Sequence, residues 1–200
     1  MKRVFDIAAT SAGLVLLSPL MIAITVAIRL FSPGPVLYKA ARVGKGGRVF
    51  SMYKFRTMVV DADKQGPLVT AGDDARVTRI GKLLRKTKLD ELPTLWNVLI
   101  GDMSLVGPRP ENPKSAALYT EQQRKIWNVR PGVTSPATVK YRHEEALLSG
   151  ADDLERRYFE IMQDKLRLEL EYVEHYSFSR DIQILLRTFQ AILNTKASGA

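Results

Sequence analysis

Residues 85–110 read RKTKLDELPTLWNVLIGDMSLVGPRP, and the organisation of the whole chain is best understood from this stretch. Asp90 and Glu91 form an adjacent pair of carboxylates between a basic segment and an apolar one. At the end of the stretch, Pro108 and Pro110 fix the backbone on both sides of Arg109. Because no other part of the sequence concentrates cations, carboxylates and a rigid corner in this way, we interpret it as an active site that handles phosphates.

The local pattern around Asp90 supports two interpretations. Apolar spacing predicts a basic amphipathic helix over 79–89 and a second short helix that begins near Asp90. An Asp at a helix start is ordinarily an N-cap, and a Glu in the first turn complements the helix dipole. The helix N-terminus together with Arg85 and Lys88 would also keep Asp90 ionised, so that it could attack phosphorus or hold a metal. The pattern alone leaves capping and catalysis open.

Composition limits the classes of protein and of partner. Two hundred residues with 46% hydrophobic content can bury one core, so we expect one domain. A net charge of +9 favours an anionic partner, whether nucleic acid, a phospholipid surface or a phosphorylated substrate. The absence of cysteine excludes disulfides and thiolate metal sites, and two histidines leave little for zinc. A catalytic metal would therefore be held by oxygen, as Mg²⁺ is.

The N-terminal segment, residues 4–31, is almost wholly apolar and predicts a membrane-embedded helix. Pro19 predicts a break in its middle, with the Ser18 hydroxyl available to the carbonyl that the proline leaves unbonded. Each half is shorter than the roughly 17 residues needed to cross a bilayer, and cations flank both ends. We therefore predict a re-entrant helix–break–helix in 1–31 and a cytoplasmic catalytic domain in 32–200. A single-pass helix and a cleaved signal peptide are the alternatives.

A β-hairpin is predicted after the apolar segment, because residues 36–39 and 49–58 are rich in strand-forming residues and flank a glycine-rich turn. The two-residue period of a strand puts Lys54 and Arg56 on one face. Two cations on one face could grip a phosphate, or they could simply form a solvated strand surface.

The remaining periodicities complete an α+β, mostly helical fold. They predict helices over 115–129, over 152–174 and from 179 onwards, and an extended segment over 133–141. The last helix has an apolar side that contains Ile182, Leu185, Leu186 and Phe189. This side would pack against the core or, alternatively, lie on a membrane surface.

Three segments resemble the bacterial sugar transferases, the monotopic phosphoglycosyl transferases. These are KLDELP at 88–93, GDMSLVGPRP at 101–110 and RPGVT at 130–134. The likeness extends back to the Ser18-Pro19 break and forward to Asp181, so it covers most of the chain.

The resemblance implies a monotopic enzyme of the bacterial inner membrane, with a re-entrant broken helix, a small hairpin, amphipathic interfacial helices and a catalytic domain facing the cytoplasm. It would move a sugar 1-phosphate from a UDP-sugar to polyprenol (undecaprenyl) phosphate and release UMP. This step begins the assembly of a surface glycan. The partners implied are the lipid bilayer, a second copy of the chain and downstream glycosyltransferases, but no nucleic acid.

The family resemblance also implies the site residues. Asp90 would be the nucleophile and form an aspartyl-phosphosugar intermediate, which polyprenol phosphate then attacks. Glu91 would assist, and Mg²⁺ would lie beside Asp90 and Glu91. The expected substrate-binding residues are Arg85, the corner Pro108-Arg109-Pro110, and, by position, Lys54, Arg56 and Lys88.

One segment departs from the family pattern. Residues 135–138 read SPAT where many relatives have GWAQ, and residues 140–145 continue differently, which puts the identity of the sugar in doubt. A Mg²⁺-dependent hydrolase of lipid or nucleotide diphosphates is the enzymatic alternative, because an Asp nucleophile serves water equally well. A non-enzymatic membrane adaptor, in which Asp90 only caps a helix, is the alternative from another class.

Overall fold

The computed structural model of the chain describes residues 1–62, 74–142, 147–148 and 154–194. The helices are α1 (Lys2–Phe31), α2 (Arg79–Thr87), α3 (Thr94–Ile100), α4 (Pro113–Ala117), α5 (Pro136–Lys140), α6 (Leu154–Glu174) and α7 (Phe178–Asn194). The strands are β1 (Leu37–Val43), β2 (Val49–Phe55), β3 (Ser104–Val106) and β4 (Gly132–Thr134), and single 3₁₀ turns occupy Lys45–Gly47, Leu89–Glu91 and Gln123–Asn128. The predicted mixed, mostly helical architecture is confirmed. Residues 143–145 of the divergent segment and the first two residues of the helix predicted over 152–174 lie outside the described residues.

Helix α1 continues through Pro19, so the predicted interruption into two helical segments is wrong. Pro19 has no N–H to offer the carbonyl of Val15, but the Ser18 hydroxyl donates to that carbonyl oxygen at 2.8 Å. The freed acceptor is therefore satisfied locally, as the sequence predicted, and the helix can continue. By its length and apolar composition, α1 is the one helix in the described part of the chain that could cross a membrane.

Both ends of α1 are bound to the rest of the chain. At the N-terminal end, Lys2 Nζ donates to Asp181 at 2.6 Å, and Asp6 accepts a hydrogen bond from Ser104 Oγ at 2.8 Å. At the C-terminal end, the buried Arg56 donates to the carbonyl oxygens of Ser32 and Pro33 at 2.7 and 2.6 Å. These charge-assisted bonds hold the apolar helix against the domain at two separated points.

The predicted hairpin is confirmed. Strands β1 and β2 pair antiparallel, from Leu37 opposite Phe55 to Val43 opposite Val49, around the glycine-rich 3₁₀ turn. Phe55 is buried in a cluster with Ile24, Ile28 and Leu84, which joins the hairpin to α1 and α2. The side chain of Lys54 is thereby directed away from this cluster, towards Glu91.

A two-stranded parallel sheet carries the proline corner. Ser104 of β3 lies opposite Gly132 of β4, and Val106 lies opposite Thr134. The backbones approach so closely that a Cβ at Gly107 would overlap the carbonyl of Arg130, which requires glycine there. The extended segment predicted over 133–141 is wrong beyond Thr134, because α5 begins at Pro136. The helix predicted over 115–129 is divided into α4 and a 3₁₀ turn.

Helices α6 and α7 pack against β3. Tyr172 and Ile184 form a buried cluster with Val106, and Leu185 packs against it. Two residues of the predicted apolar side, Leu186 and Phe189, are instead 58% and 64% exposed. Helix α7 therefore has two apolar sides, and only one of them packs against the core. The periodicity predicted a single apolar side.

Candidate active site

A turn places Asp90 at the junction of α2 and α3. Helix α2 ends at Thr87, and the backbone of the next residue, Lys88, adopts the left-handed conformation with φ 58°, which is uncommon for a residue other than glycine. Asp90 lies in the following 3₁₀ turn, and α3 begins only at Thr94. The helix predicted to begin near Asp90 is present, but its α-helical part starts four residues later, and Asp90 does not occupy an N-cap position. Its place in a strained turn is typical of functional residues.

The carboxylate of Asp90 is buried and incompletely satisfied. The residue is 8% exposed, and its Oδ1 atom has no hydrogen-bond partner among the described residues. Burial raises the pKa of Asp90, although the positive charges of Lys54, Lys88 and Arg85 oppose this shift. The sequence predicted that Arg85 and Lys88 would favour the ionised form of Asp90; their charges do act in that direction, but desolvation is the larger effect on this pKa. A buried carboxylate oxygen without a donor is a position where a ligand is expected.

Glu91 is the centre of a charge network. Lys54 Nζ donates to its Oε1 at 2.7 Å, and the Arg109 guanidinium donates to Oε1 and, at 3.2 Å, to Oε2. Although burial alone would raise it, the charges of Arg109 and Lys54 hold the pKa of Glu91 well below its usual range. Glu91 also raises the pKa of Arg109 above its already high value. Glu91 is therefore ionised and joins the hairpin to the proline corner through two cations.

The carboxylates differ in their capacity to hold a metal. Both oxygens of Glu91 already accept hydrogen bonds from cations, whereas Oδ1 of Asp90 accepts none from the described residues. The described part of the chain contains no cluster of three or more His, Cys, Asp or Glu residues suited to a metal ion. An oxygen-preferring cation such as Mg²⁺ therefore fits Asp90 as a single protein ligand, with further ligands drawn from substrate phosphates and water.

A buried carboxyl group that the sequence did not single out holds the proline corner. Glu169 of α6 is 4% exposed, and its Oε1 accepts hydrogen bonds from Ser135 Oγ at 2.6 Å and from the Arg109 amide at 3.3 Å. Glu169 lies three residues from both Leu166 and Tyr172, which are buried. A carboxylate on the apolar side of a predicted helix was the sequence signal that could have identified it.

Glu169 predicts a pH-dependent stability. Burial raises the pKa of Glu169 to about 7, against an ordinary value of 4.5 in the unfolded chain. The protonation of Glu169 therefore adds its full contribution to the free energy of unfolding below about pH 4.5, and this contribution is lost as the pH rises through about 7. Between about pH 5 and about pH 8, the unfolding free energy of wild type should fall relative to that of Glu169→Gln by on the order of 2 kcal/mol. Denaturant titrations in detergent measure this difference, and an unchanged difference would contradict the assignment.

The other predicted site residues divide into two groups. Arg85 donates through Nε to Thr57 Oγ1 at 2.9 Å, and its charge acts on Asp90, as does that of the exposed Lys88. Pro108 and Pro110 are both buried beside Arg109. Arg56 and the Ser18-Pro19 pair lie outside this group, because Arg56 binds the end of α1 and Ser18 bonds within α1.

The segment that departs from the family pattern also connects to this site. Ser135 is the N-cap of α5, where its Oγ accepts from the Thr138 amide at 3.0 Å. The same hydroxyl donates to Glu169, which in turn accepts from the Arg109 amide. Residues 135–138 therefore support the position of Arg109 through Glu169, a connection between distant parts of the sequence that spacing could not reveal.

Comparison with known proteins places this geometry in a family context. The sequence profile described as "Bacterial sugar transferase" matches residues 1–195 of the chain. The "UDP-glucose:undecaprenyl-phosphate glucose-1-phosphate transferase" of Caulobacter vibrioides is 39% identical over 200 residues, which cover 97% of this chain and 70% of that protein. The "Uncharacterized sugar transferase EpsL" of Bacillus subtilis is 37% identical over 96% of this chain and 87% of its own length.

A third relative is considerably longer. The "UDP-N-acetylgalactosamine-undecaprenyl-phosphate N-acetylgalactosaminephosphotransferase" of Aeromonas hydrophila is 39% identical over 197 residues, which cover 96% of this chain but 43% of that protein. The chain thus spans less than half the length of one similar transferase and most of the length of the other two.

Proposed function

The chain belongs to the bacterial sugar transferase family, and on this premise we propose that it transfers a sugar 1-phosphate from a UDP-sugar to undecaprenyl or another polyprenyl phosphate. The product would be the first membrane-bound intermediate of a surface glycan, such as an exopolysaccharide, capsule, O-antigen or glycoprotein. The named relatives use different sugars, UDP-glucose in one and UDP-N-acetylgalactosamine in another, so the sugar is a matter for experiment.

The buried Oδ1 of Asp90, without a partner among the described residues, is the observation that carries the proposal. In the first step, an Asp90 carboxylate oxygen attacks the β-phosphorus that bears the sugar. The bond between this phosphorus and the bridging oxygen breaks, and UMP leaves with the electron pair. In the second step, a phosphate oxygen of the polyprenyl acceptor attacks the same phosphorus and Asp90 leaves as a carboxylate. The geometry favours this role over a capping role, because Asp90 precedes α3 by four residues.

Nearby charges suit phosphoryl transfer, which depends mainly on positioning and on charge neutralisation. Arg109 and Lys54, both bound to Glu91, would face the donor phosphates, with Arg85 and Lys88 as further cations. Glu91 would hold Arg109 and Lys54 in place rather than act as a base, because its lowered pKa makes it a weak base and both of its oxygens already accept hydrogen bonds. Mg²⁺ bound at Asp90 would supply additional neutralisation of the donor diphosphate.

Acceptor dependence tests the proposed reaction. The purified chain, given Mg²⁺ and each of a set of UDP-sugars, should release UMP at a steady rate only when polyprenyl phosphate is present. Removal of Mg²⁺ with EDTA should stop this release, and added Mg²⁺ should restore it. Intact-protein mass spectrometry with the donor alone should detect a sugar-phosphate adduct. A full steady rate without any acceptor would identify a hydrolase instead, and no adduct after rapid quenching would contradict the covalent intermediate.

The contacts of α1 support a monotopic arrangement in the bacterial inner membrane. Lys2 at one end and Ser32 at the other are both bound to the same globular part of the chain. A helix held in this way would have both ends on the cytoplasmic side, with its exposed middle in one leaflet. Exposed apolar side chains on other helices, which would extend this membrane face, include Leu83, Trp96, Ile100, Leu186 and Phe189.

Cysteine labelling tests this topology, since the wild-type chain contains no cysteine. A cysteine placed directly after Met1 and another that replaces the exposed Lys114 should react with a membrane-impermeant maleimide from the same side. Reaction from opposite sides of the membrane would identify α1 as a single-pass helix.

A further inference from the structure

A cavity of about 490 Å³ lies apart from the residues of the candidate active site. It opens between the first turns of α1, the 3₁₀ turn of the hairpin, the segment before β4 and the start of α7. Its lining includes Lys2, Arg3, Lys45, Arg130, Tyr176 and Phe178, but neither Asp90, Glu91 nor Arg109. The cavity is therefore separate from the candidate active site.

Positive charge predominates in this cavity. Its four cationic side chains face one carboxylate, Asp6, which is already bonded to Ser104 Oγ and to the Leu105 amide. Lys2 is paired with Asp181, outside the lining. Asp181 neutralises Lys2, and Asp6, whose hydrogen bonds come only from neutral groups, offsets one of the other three cations. Arg3, Arg130 and Lys45 therefore leave the cavity with an excess of positive charge.

The two arginines retain free donors. Arg3 donates to the carbonyl oxygens of Val98 and Leu99 at 2.6 and 2.9 Å, and Arg130 donates through Nε to that of Gly101 at 2.8 Å. These backbone carbonyls hold both guanidiniums in place at the end of α3, while the five N–H groups of each arginine leave others for a ligand. Lys45 is exposed, and its ammonium group has no hydrogen bond or ion pair within the described ranges. A fixed pair of guanidiniums beside an exposed ammonium suits a phosphate.

The start of α1 adds to this positive potential. Its first turn contains no acidic residue, and no side chain caps it. The amide groups at the beginning of a helix carry partial positive charge and need acceptors. Aromatic rings form another side of the cavity. The ring of Tyr176 lies 5.3 Å from Lys2 Nζ, and Phe178 packs edge-on against Phe5. Cations combined with aromatic rings are typical of the headgroup layer of a membrane.

We propose that this cavity binds the phosphate-bearing headgroup of one anionic phospholipid, with Arg3, Arg130 and Lys45 as its cationic ligands. A lipid is the source that the position favours, because the cavity adjoins the N-terminal end of the apolar helix α1. The headgroup would hold this end of α1 at the membrane surface. The inference rests on the membrane association within the proposed function, but it does not depend on the transfer reaction.

Titration of the full chain in a neutral detergent tests the site without donor or acceptor. The probes are short-chain phosphatidylglycerol, the matching phosphatidylcholine and inorganic phosphate, followed by native mass spectrometry. We expect one phosphatidylglycerol per chain, with phosphatidylcholine bound at least about tenfold more weakly because its headgroup has no net charge. Equal binding of the two lipids would overturn the proposal. Inorganic phosphate bound as tightly as phosphatidylglycerol would overturn the lipid as the source of the phosphate.

Charge reversal locates the binding. Lys45→Glu should weaken phosphatidylglycerol binding at least about fivefold, whereas Lys114→Glu, an equal charge change on the exposed side of α4, should not. Both variants should release UMP at the wild-type rate, and Asp90→Asn should bind the lipid as wild type does. Unchanged lipid binding in Lys45→Glu would overturn the proposal. If the wild-type chain binds the lipid as expected but releases no UMP, only the proposed transfer reaction would be wrong.

Discussion

Asp90→Asn should lower the rate of UMP release by at least about 10³-fold while leaving the fold intact. An amide cannot attack phosphorus under these conditions, but it has nearly the shape of the carboxylate. Because Oδ1 has no hydrogen-bond partner in the described structure, this substitution removes no known contact of that atom. Burial raises the pKa of Asp90, so the neutral amide should be tolerated in this environment.

Steady-state UMP release and the melting temperature of the same sample measure these effects separately. Glu160→Gln is a suitable control, since Glu160 is an exposed carboxylate on α6 whose ion pairs involve neighbouring arginines of the same helix. It should retain wild-type turnover. Full turnover in Asp90→Asn with a normal melting temperature would exclude Asp90 as the nucleophile.

Arg109→Lys should lower kcat/KM by about 10²-fold, although the positive charge is retained. Arg109 binds both oxygens of Glu91, and its backbone is held between two prolines and by Glu169. A lysine ammonium cannot form this two-pronged contact, so Glu91 would remain bound mainly to Lys54. The positive charge at position 109 would then no longer be held in one place towards the donor phosphates.

The matched control is Arg167→Lys. Arg167 donates two hydrogen bonds to Asp164 Oδ1, at 3.2 and 2.7 Å, but this pair is exposed on α6. An exposed pair contributes little, so this substitution should change neither turnover nor stability measurably. If the two substitutions reduced kcat/KM equally, the special role of the Arg109–Glu91 pair would be wrong.

The sequence identified most of the candidate site because its central residues are close along the chain. Asp90, Glu91 and Arg109 fall within one stretch of 26 residues, and the structure joins Glu91 and Arg109 by hydrogen bonds. Lys54 was also expected, since strand alternation gave the direction of its side chain. Arg56 shows the limit of this reasoning, because β2 ends at Phe55 and the next side chain turns to the end of α1.

Glu169, and its contact with Ser135 of the divergent segment, were missed for a different reason. Their contact crosses 34 positions of the sequence, and the contact of Glu169 with Arg109 crosses 60. The position of Glu169 on the apolar side of a helix could have drawn attention to it, but local spacing contains no information about a partner on another element. Only the packing of α6 against the corner that follows β3 brings the carboxyl group to the Arg109 amide.

Predictions from local sequence were confirmed where a residue type by itself determines the backbone conformation or the length of an apolar segment. Glycines in the hairpin turn, prolines beside Arg109 and an apolar run of helical length each acted through a few neighbouring residues, so the pattern predicted them. The burial of Asp90, and the lack of a donor for its Oδ1 atom among the described residues, depended instead on how distant segments pack around it. Interactions between neighbouring residues can be predicted from the sequence. Desolvation and long-range hydrogen bonding arise only when distant segments meet, and they make Asp90 an exceptional carboxylate rather than a helix cap.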